Sequence, residues 1–241
     1  MNWTPSPNFE TDRFGATPDI VVLHYTAMVS ARAAQDWLCD PVAKVSAHYL
    51  IDPTGAVVQM VDEAHRAWHA GAGCWGRVSD VNSHSIGIEL ANPGNEPFTA
   101  PLMDSLELLL AEIIDRRSIR PERVIGHSCM APGRKIDPGP RFDWQRLARR
   151  GLAVWPNASG GSSVPCGPSS PEEGPQGTEE GQFAVLARRA GFTAPVDPLT
   201  LLSAVRLRFR PWGAGPLCGA DLAAIADIAT RFPVDGAQAT A

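Results

Sequence analysis

The chain has 241 residues, a mass of 25.8 kDa, 44% apolar and 20% charged residues, and a formal charge of −5. That is enough for one large domain, or a medium domain with a small companion, at a composition ordinary for globular proteins. The acidic balance excludes coating of nucleic acid, which needs a basic face, and no apolar run reaches the roughly 18 residues of a membrane span.

In chain order, the first eight residues have neither the basic start nor the apolar core of a secretory leader. As it stands this predicts a cytoplasmic protein, or one of the periplasm or cell envelope if a leader has been removed. Ile20-Val21-Val22-Leu23 reads as a buried strand, followed by a helix over about 30–38. Strands at Tyr49–Ile51 and Val57–Met60 flank the turn signal Asp52-Pro53-Thr54-Gly55 and form a hairpin. Ile86–Leu90 is a further strand. A long helix starts at Thr99 as N-cap with Pro101 in its first turn, carries Leu102, Leu106, Leu109, Leu110, Ile113 and Ile114 at helical spacing, and stops before Pro121. Val124-Ile125 is extended again. Strands alternating with helices and a hairpin predict an α/β domain over 1–155, a mixed sheet flanked by helices.

Residues 156–181 hold 16 Gly, Pro or Ser among 26, with no Lys or Arg, and read as a flexible linker. Residues 182–241 carry three short apolar periodicities, the last with Asp221 as its expected N-cap, and predict a small three-helix module. The five cysteines contain no C-x-x-C pair and read as reduced, mostly buried thiols.

The chemistry concentrates in the first part, which holds all six histidines. His24 ends one strand and His127 follows Val124-Ile125-Gly126 in the same way. The loop from Ser128 to Pro140 is punctuated by Pro and Gly and can return Asp137 towards His127. Two imidazoles and a carboxylate suit Zn2+ and leave a fourth position open. Glu89, acidic on an apolar strand, fits a general base raised by burial. Lys135 is one of only two lysines in a chain with 21 basic residues, and offers a point charge for a developing oxyanion. The same residues also read as ordinary loop polar groups, with Glu89 as an ion-pair partner. The sequence of the loop from Ser128 to Pro140 is what favours the site.

Two other patterns are weaker. His65 and His69 stand at i, i+4, but Glu63 precedes the pair and Gly71 and Gly73 cut any helix short. Trp68 and His69, with Tyr25, are expected instead to line a substrate groove, although Trp68 and His69 fit a core position as well. Gly126-His127-Ser128-Cys129-Met130 begins like a nucleophile elbow but lacks the closing glycine. His48 and His84 read as structural.

Five segments occur in a telling order: Leu23-His24-Tyr25-Thr26-Ala27, Ser46 to Ile51, Ala67-Trp68-His69-Ala70-Gly71, Ser85 to Leu90, and Gly126-His127-Ser128 through to Pro140. Together they resemble the zinc-dependent N-acetylmuramoyl-L-alanine amidases of the amidase-2 type, relatives of peptidoglycan recognition proteins, over residues 10 to 155. The tail resembles, more weakly, a three-helix peptidoglycan-binding module. The resemblance implies one zinc held by His24, His127 and Asp137, with Glu89 acting on water and Lys135 stabilising the transition state. The implied substrate is peptidoglycan or a muropeptide, cut between N-acetylmuramic acid and L-alanine. A non-catalytic peptidoglycan receptor on the same fold is the alternative. Relatives commonly carry Asp where Cys129 stands, a position outside the ligand set.

Overall fold

The computed structural model describes residues 1–157 and 176–235. Its strands are β1 (Asn2–Trp3), β2 (Phe9–Glu10), β3 (Ile20–Tyr25), β4 (Tyr49–Ile51), β5 (Val57–Gln59), β6 (Arg66–Ala67), β7 (Ser85–Leu90) and β8 (Val124–Gly126). Six of them form one sheet in the order β1-β5-β4-β7-β3-β8, and β2 pairs with β6 in a separate ribbon. All neighbours in the large sheet are parallel except the β4–β5 hairpin. β3 lies between β7 and the edge strand β8, and its unbroken apolar run is what a strand covered on both faces requires.

The helices are α1 (Ala31–Leu38), α2 (Val81–His84), α3 (Ala100–Arg117), α4 (His127–Met130), α5 (Trp144–Arg149), α6 (Gln176–Arg189), α7 (Pro198–Phe209) and α8 (Gly219–Arg231). Ser30 caps α1, its side chain accepting from the Ala33 amide. Thr99 caps α3 in the same way and Ser118 ends it in a left-handed turn.

Period-two alternation divides β3 between two cores. Val21, Leu23, Ile86, Ile88 and Leu90 face α3, which buries Leu102, Leu106, Leu109, Leu110 and Ile113 against them together with Trp144 and Leu147 of α5. Each such side chain contributes about 1.5–3 kcal/mol on full burial, so α3 is the main support of that face. Ile20 and Val22 point the other way, into a core completed by Ile125 and Met130 and by Phe183, Phe192, Leu202, Val205, Phe209 and Ile225 of the C-terminal segment.

Helices α6–α8 therefore share a core with the sheet. Arg208 of α7 fastens the joint: its guanidinium lies 3.7 Å from the centroid of the Trp144 ring, and Nη2 donates to the Val154 carbonyl at 2.8 Å. The expected linker meets a correction at its far end. α6 starts at Gln176, because burial of Phe183, Ala187 and Ala190 outweighs weak intrinsic propensity. Residues 158–175 of that stretch lie outside the described residues. Asp221 is not the N-cap of α8. It sits at the third helical position, and its carboxylate accepts from the Cys218 amide and from Arg206. Cys39, Cys74 and Cys129 are free thiols as expected, whereas Cys218 is in a disulfide.

Candidate metal centre and active site

Parallel strands collect side chains at their carboxyl ends, where the chain leaves the sheet and leaves room for a ligand. In register, His24 of β3 stands beside Glu89 of β7, and Leu23 stands beside Gly126, the residue before His127. Gly126 is required by close approach: a Cβ there would lie 2.7 Å from the Pro138 ring. The returning loop is tied down where the Ser128 amide donates to the Asp137 carbonyl at 3.0 Å.

The result is a buried triangle. His24 Nδ1 lies 3.0 Å from His127 Nδ1 and 2.9 Å from Asp137 Oδ2, and His127 Nδ1 lies 3.0 Å from the same oxygen. His24, His127 and Asp137 are 2, 3 and 7% exposed. Three acceptor-bearing atoms this close do not satisfy one another by hydrogen bonding alone. Their edges are near the roughly 3.3 Å that separates ligands around a tetrahedral zinc with bonds of about 2.0–2.1 Å. The far nitrogen of His127, Nε2, donates to the Ala70 carbonyl at 2.8 Å and leaves Nδ1 with its lone pair inward. The donor set fits a divalent cation.

Electrostatics agree with that reading. Burial and then the neighbouring His127 lower the His24 pKa to about 4, against the pull of Asp137, so the imidazole is neutral at pH 7. Burial alone would raise the pKa of Asp137, but the two imidazoles that face its carboxylate hold it well below the usual carboxylate range. Glu89 behaves oppositely. Burial, reinforced by Asp137 and opposed by Lys135, pushes it up to about 8. The residue as a whole is only partly buried, yet Oε2 is sealed from solvent and has no hydrogen-bond partner.

A groove of about 600 Å³ opens over these groups, lined by Tyr25, Trp37, Trp68, Glu89 and Lys135. Lys135, half-exposed, reaches both this groove and an adjoining one that also holds Lys44, so both lysines of the chain border the site. Tyr25 and Trp68 are half-buried on the groove wall. His69 borders the groove but is 9% exposed, and both its ring nitrogens are engaged, so neither is open to a ligand.

The remaining candidates stay apart from the chemistry. His65 stacks on Phe9 at 5.0 Å, and β6 rather than a helix runs between it and His69. Cys129 is 1% exposed, with its thiol pKa raised by burial, which suits a core residue and not a nucleophile. His48 is fully buried and accepts the Gly87 amide. Sequence reasoning missed Ser85 and Gly87. Their signal is the alternation in Ser85-Ile86-Gly87-Ile88-Glu89-Leu90, which aims Ser85, Gly87 and Glu89 at one face and three apolar residues at the other.

Comparison with known proteins agrees with the geometry. Residues 14–140 match the family described as N-acetylmuramoyl-L-alanine amidase. The N-acetylmuramoyl-L-alanine amidase AmiD of Escherichia coli (strain K12) is 39% identical over 157 residues, 58% of this chain and 55% of AmiD. This chain thus aligns with about half of that relative's length. The 1,6-anhydro-N-acetylmuramyl-L-alanine amidase AmpD of the same organism is 33% identical over 160 residues, 59% of this chain and 87% of AmpD. Among solved structures, AmiD from E. coli in complex with the substrate anhydro-N-acetylmuramic acid-L-Ala-D-gamma-Glu-L-Lys superposes with a TM-score of 0.77 at 30% identity. That match covers 91% of this chain and 92% of the other, so it takes in the C-terminal helices as well as the sheet. The chain belongs to the N-acetylmuramoyl-L-alanine amidase family of enzymes.

Proposed function

We propose that this protein hydrolyses the amide between N-acetylmuramic acid and L-alanine in peptidoglycan or its soluble fragments. The observation that carries the reading is the convergence of His24, His127 and Asp137 beside the buried carboxyl of Glu89, whose pKa is raised by burial. One Zn2+ per chain is held by those three residues, and when bound it supplies Lewis-acid activation of water and of the scissile carbonyl. Glu89 takes a proton from the attacking water and passes it to the departing L-alanine nitrogen. A carboxyl that titrates close to neutral pH suits both halves of that transfer. The Lys135 ammonium faces the negative charge that grows on the carbonyl oxygen. Tyr25 and Trp68 offer aromatic walls to the sugar and lactyl group. The bound ligand in the AmiD structure contains the bond in question, which supports the substrate class. In the division of labour we propose, residues 1–155 carry the chemistry and residues 182–241 attach to the wall; what supports it is the placement of every candidate ligand and acid–base group in the former.

The test uses zinc-loaded full chain and anhydro-N-acetylmuramic acid-L-Ala-D-γ-Glu-L-Lys, with released peptide followed by mass spectrometry. Wild type releases peptide and Glu89→Ala does not, while retaining one zinc per chain. No release from either this fragment or intact sacculi overturns the reading in favour of a peptidoglycan receptor.

A further inference from the structure

His69 does more for this fold than line a wall. The hydroxyl of Ser85 donates to the Val81 carbonyl. A carbonyl only accepts, so the single hydrogen of Ser85 is committed there. Its Oγ presents lone pairs to His69 Nε2 at 3.2 Å, and Nε2 must carry the proton. A neutral imidazole has one N–H, so His69 Nδ1 is bare and accepts from His24 Nε2 at 3.1 Å. His24 Nδ1 is thereby left bare, and it is the atom that faces Asp137 and His127. His127 obtains the same tautomer directly from the Ala70 carbonyl. His24 obtains it from the Val81 carbonyl through two side chains.

The intermediate ring is held in place from every side. A Cβ on Gly87 would sit 2.4 Å from His69 Cγ, so the ring rests on a strand position that only glycine allows. Asn82 Oδ1 accepts the amides of His69 and Ala70 at 3.1 and 2.8 Å. His24 and His48 pack edge-on at 5.2 and 5.6 Å between centroids.

We propose that His69, fixed by Ser85, is a positioning residue that holds His24 as the Nε2–H tautomer and so presents Nδ1 to the divalent cation. The inference rests on the metal-centre reading above.

Its test is zinc affinity of the full chain, measured with zinc alone against a chromophoric chelator. His69→Leu keeps an apolar filler but removes the acceptor, and weakens zinc binding about 10- to 100-fold. His69→Asn places an amide oxygen near the former Nδ1 and restores affinity to within about threefold of wild type, since an outer-sphere acceptor for His24 is again present. Affinity of the leucine variant within about threefold of wild type, or an asparagine variant as weak as leucine, overturns the proposal. Should the leucine variant not fold, Ser85→Ala carries the test: a weakening above about threefold supports the relay, and unchanged affinity refutes it. A wild-type chain that takes up no zinc overturns the metal-centre reading itself; equal uptake by wild type and the variants overturns only the role of His69.

Discussion

In the metal-free protein Glu89 should make stability fall as pH rises, the reverse of an ordinary carboxylate. Its pKa stands at about 8 when folded, against 4.5 for the unperturbed group. Between those values the folded chain keeps a proton that the unfolded chain has lost. Stability then declines by up to about 1.4 kcal/mol per pH unit, as deprotonating a sealed, partnerless oxygen becomes the alternative. Across the three units from pH 5 to pH 8 this amounts to about 3–4 kcal/mol, a ceiling because the residue is partly exposed. Glu89→Gln keeps the shape and removes the titration. Urea unfolding of both proteins at pH 5 and pH 8, after chelation and dialysis, isolates the effect. The wild-type loss between the two pH values should exceed the variant's by a few kcal/mol, on the order of the linkage estimate. Histidines such as His24, whose pKa is lowered, act in the opposite sense below pH 6.5 and cancel in the comparison. Identical pH dependence in the two proteins would refute the account of Glu89 as a protonated, buried acid.

Three further outcomes are expected. Lys135→Ala should lower kcat about 100- to 1,000-fold with zinc content unchanged, as loss of one oxyanion donor does; a rate within tenfold would remove it from that role. Gly87→Ala should drive a methyl into the His69 ring and destabilise the fold by about 1–3 kcal/mol, read as a fall in Tm. Arg208→Ala, which leaves Trp144 and the Val154 carbonyl without their partner, should cost about 2–4 kcal/mol. Unchanged thermal stability would show that the guanidinium is not the fastening between α7 and the sheet.

Much of this arrangement was legible in the sequence because its signals are local. Thr99 and Pro101 announce α3, Asp52 to Gly55 announce the hairpin, and His24 and His127 each follow an apolar run that ends abruptly. Asp137 could be picked out because prolines and glycines bend its loop. The rest depends on distance in the chain. No local pattern says that Phe183 and Phe209 will cover Ile20 and Val22, nor that Gln176 opens a helix within a glycine- and glutamate-rich stretch. From the sequence His69 fits a groove wall and a core position equally, and neither reading names its partners. Its actual partners, His24 and Ser85, are 45 and 16 positions away, and only the folded strand register brings them to it.

The core shared by the sheet and α6–α8 also constrains how such a chain can be cut or recombined. Ending it at residue 157 would strip the roof from Ile20, Val22, Ile125 and Met130 and leave a contiguous greasy surface, a recipe for clumping rather than for a smaller working catalyst. Grafting a foreign tail would meet the same demand, because the incoming helices would have to match that relief bump for hollow. In this molecule α6, α7 and α8 are masonry.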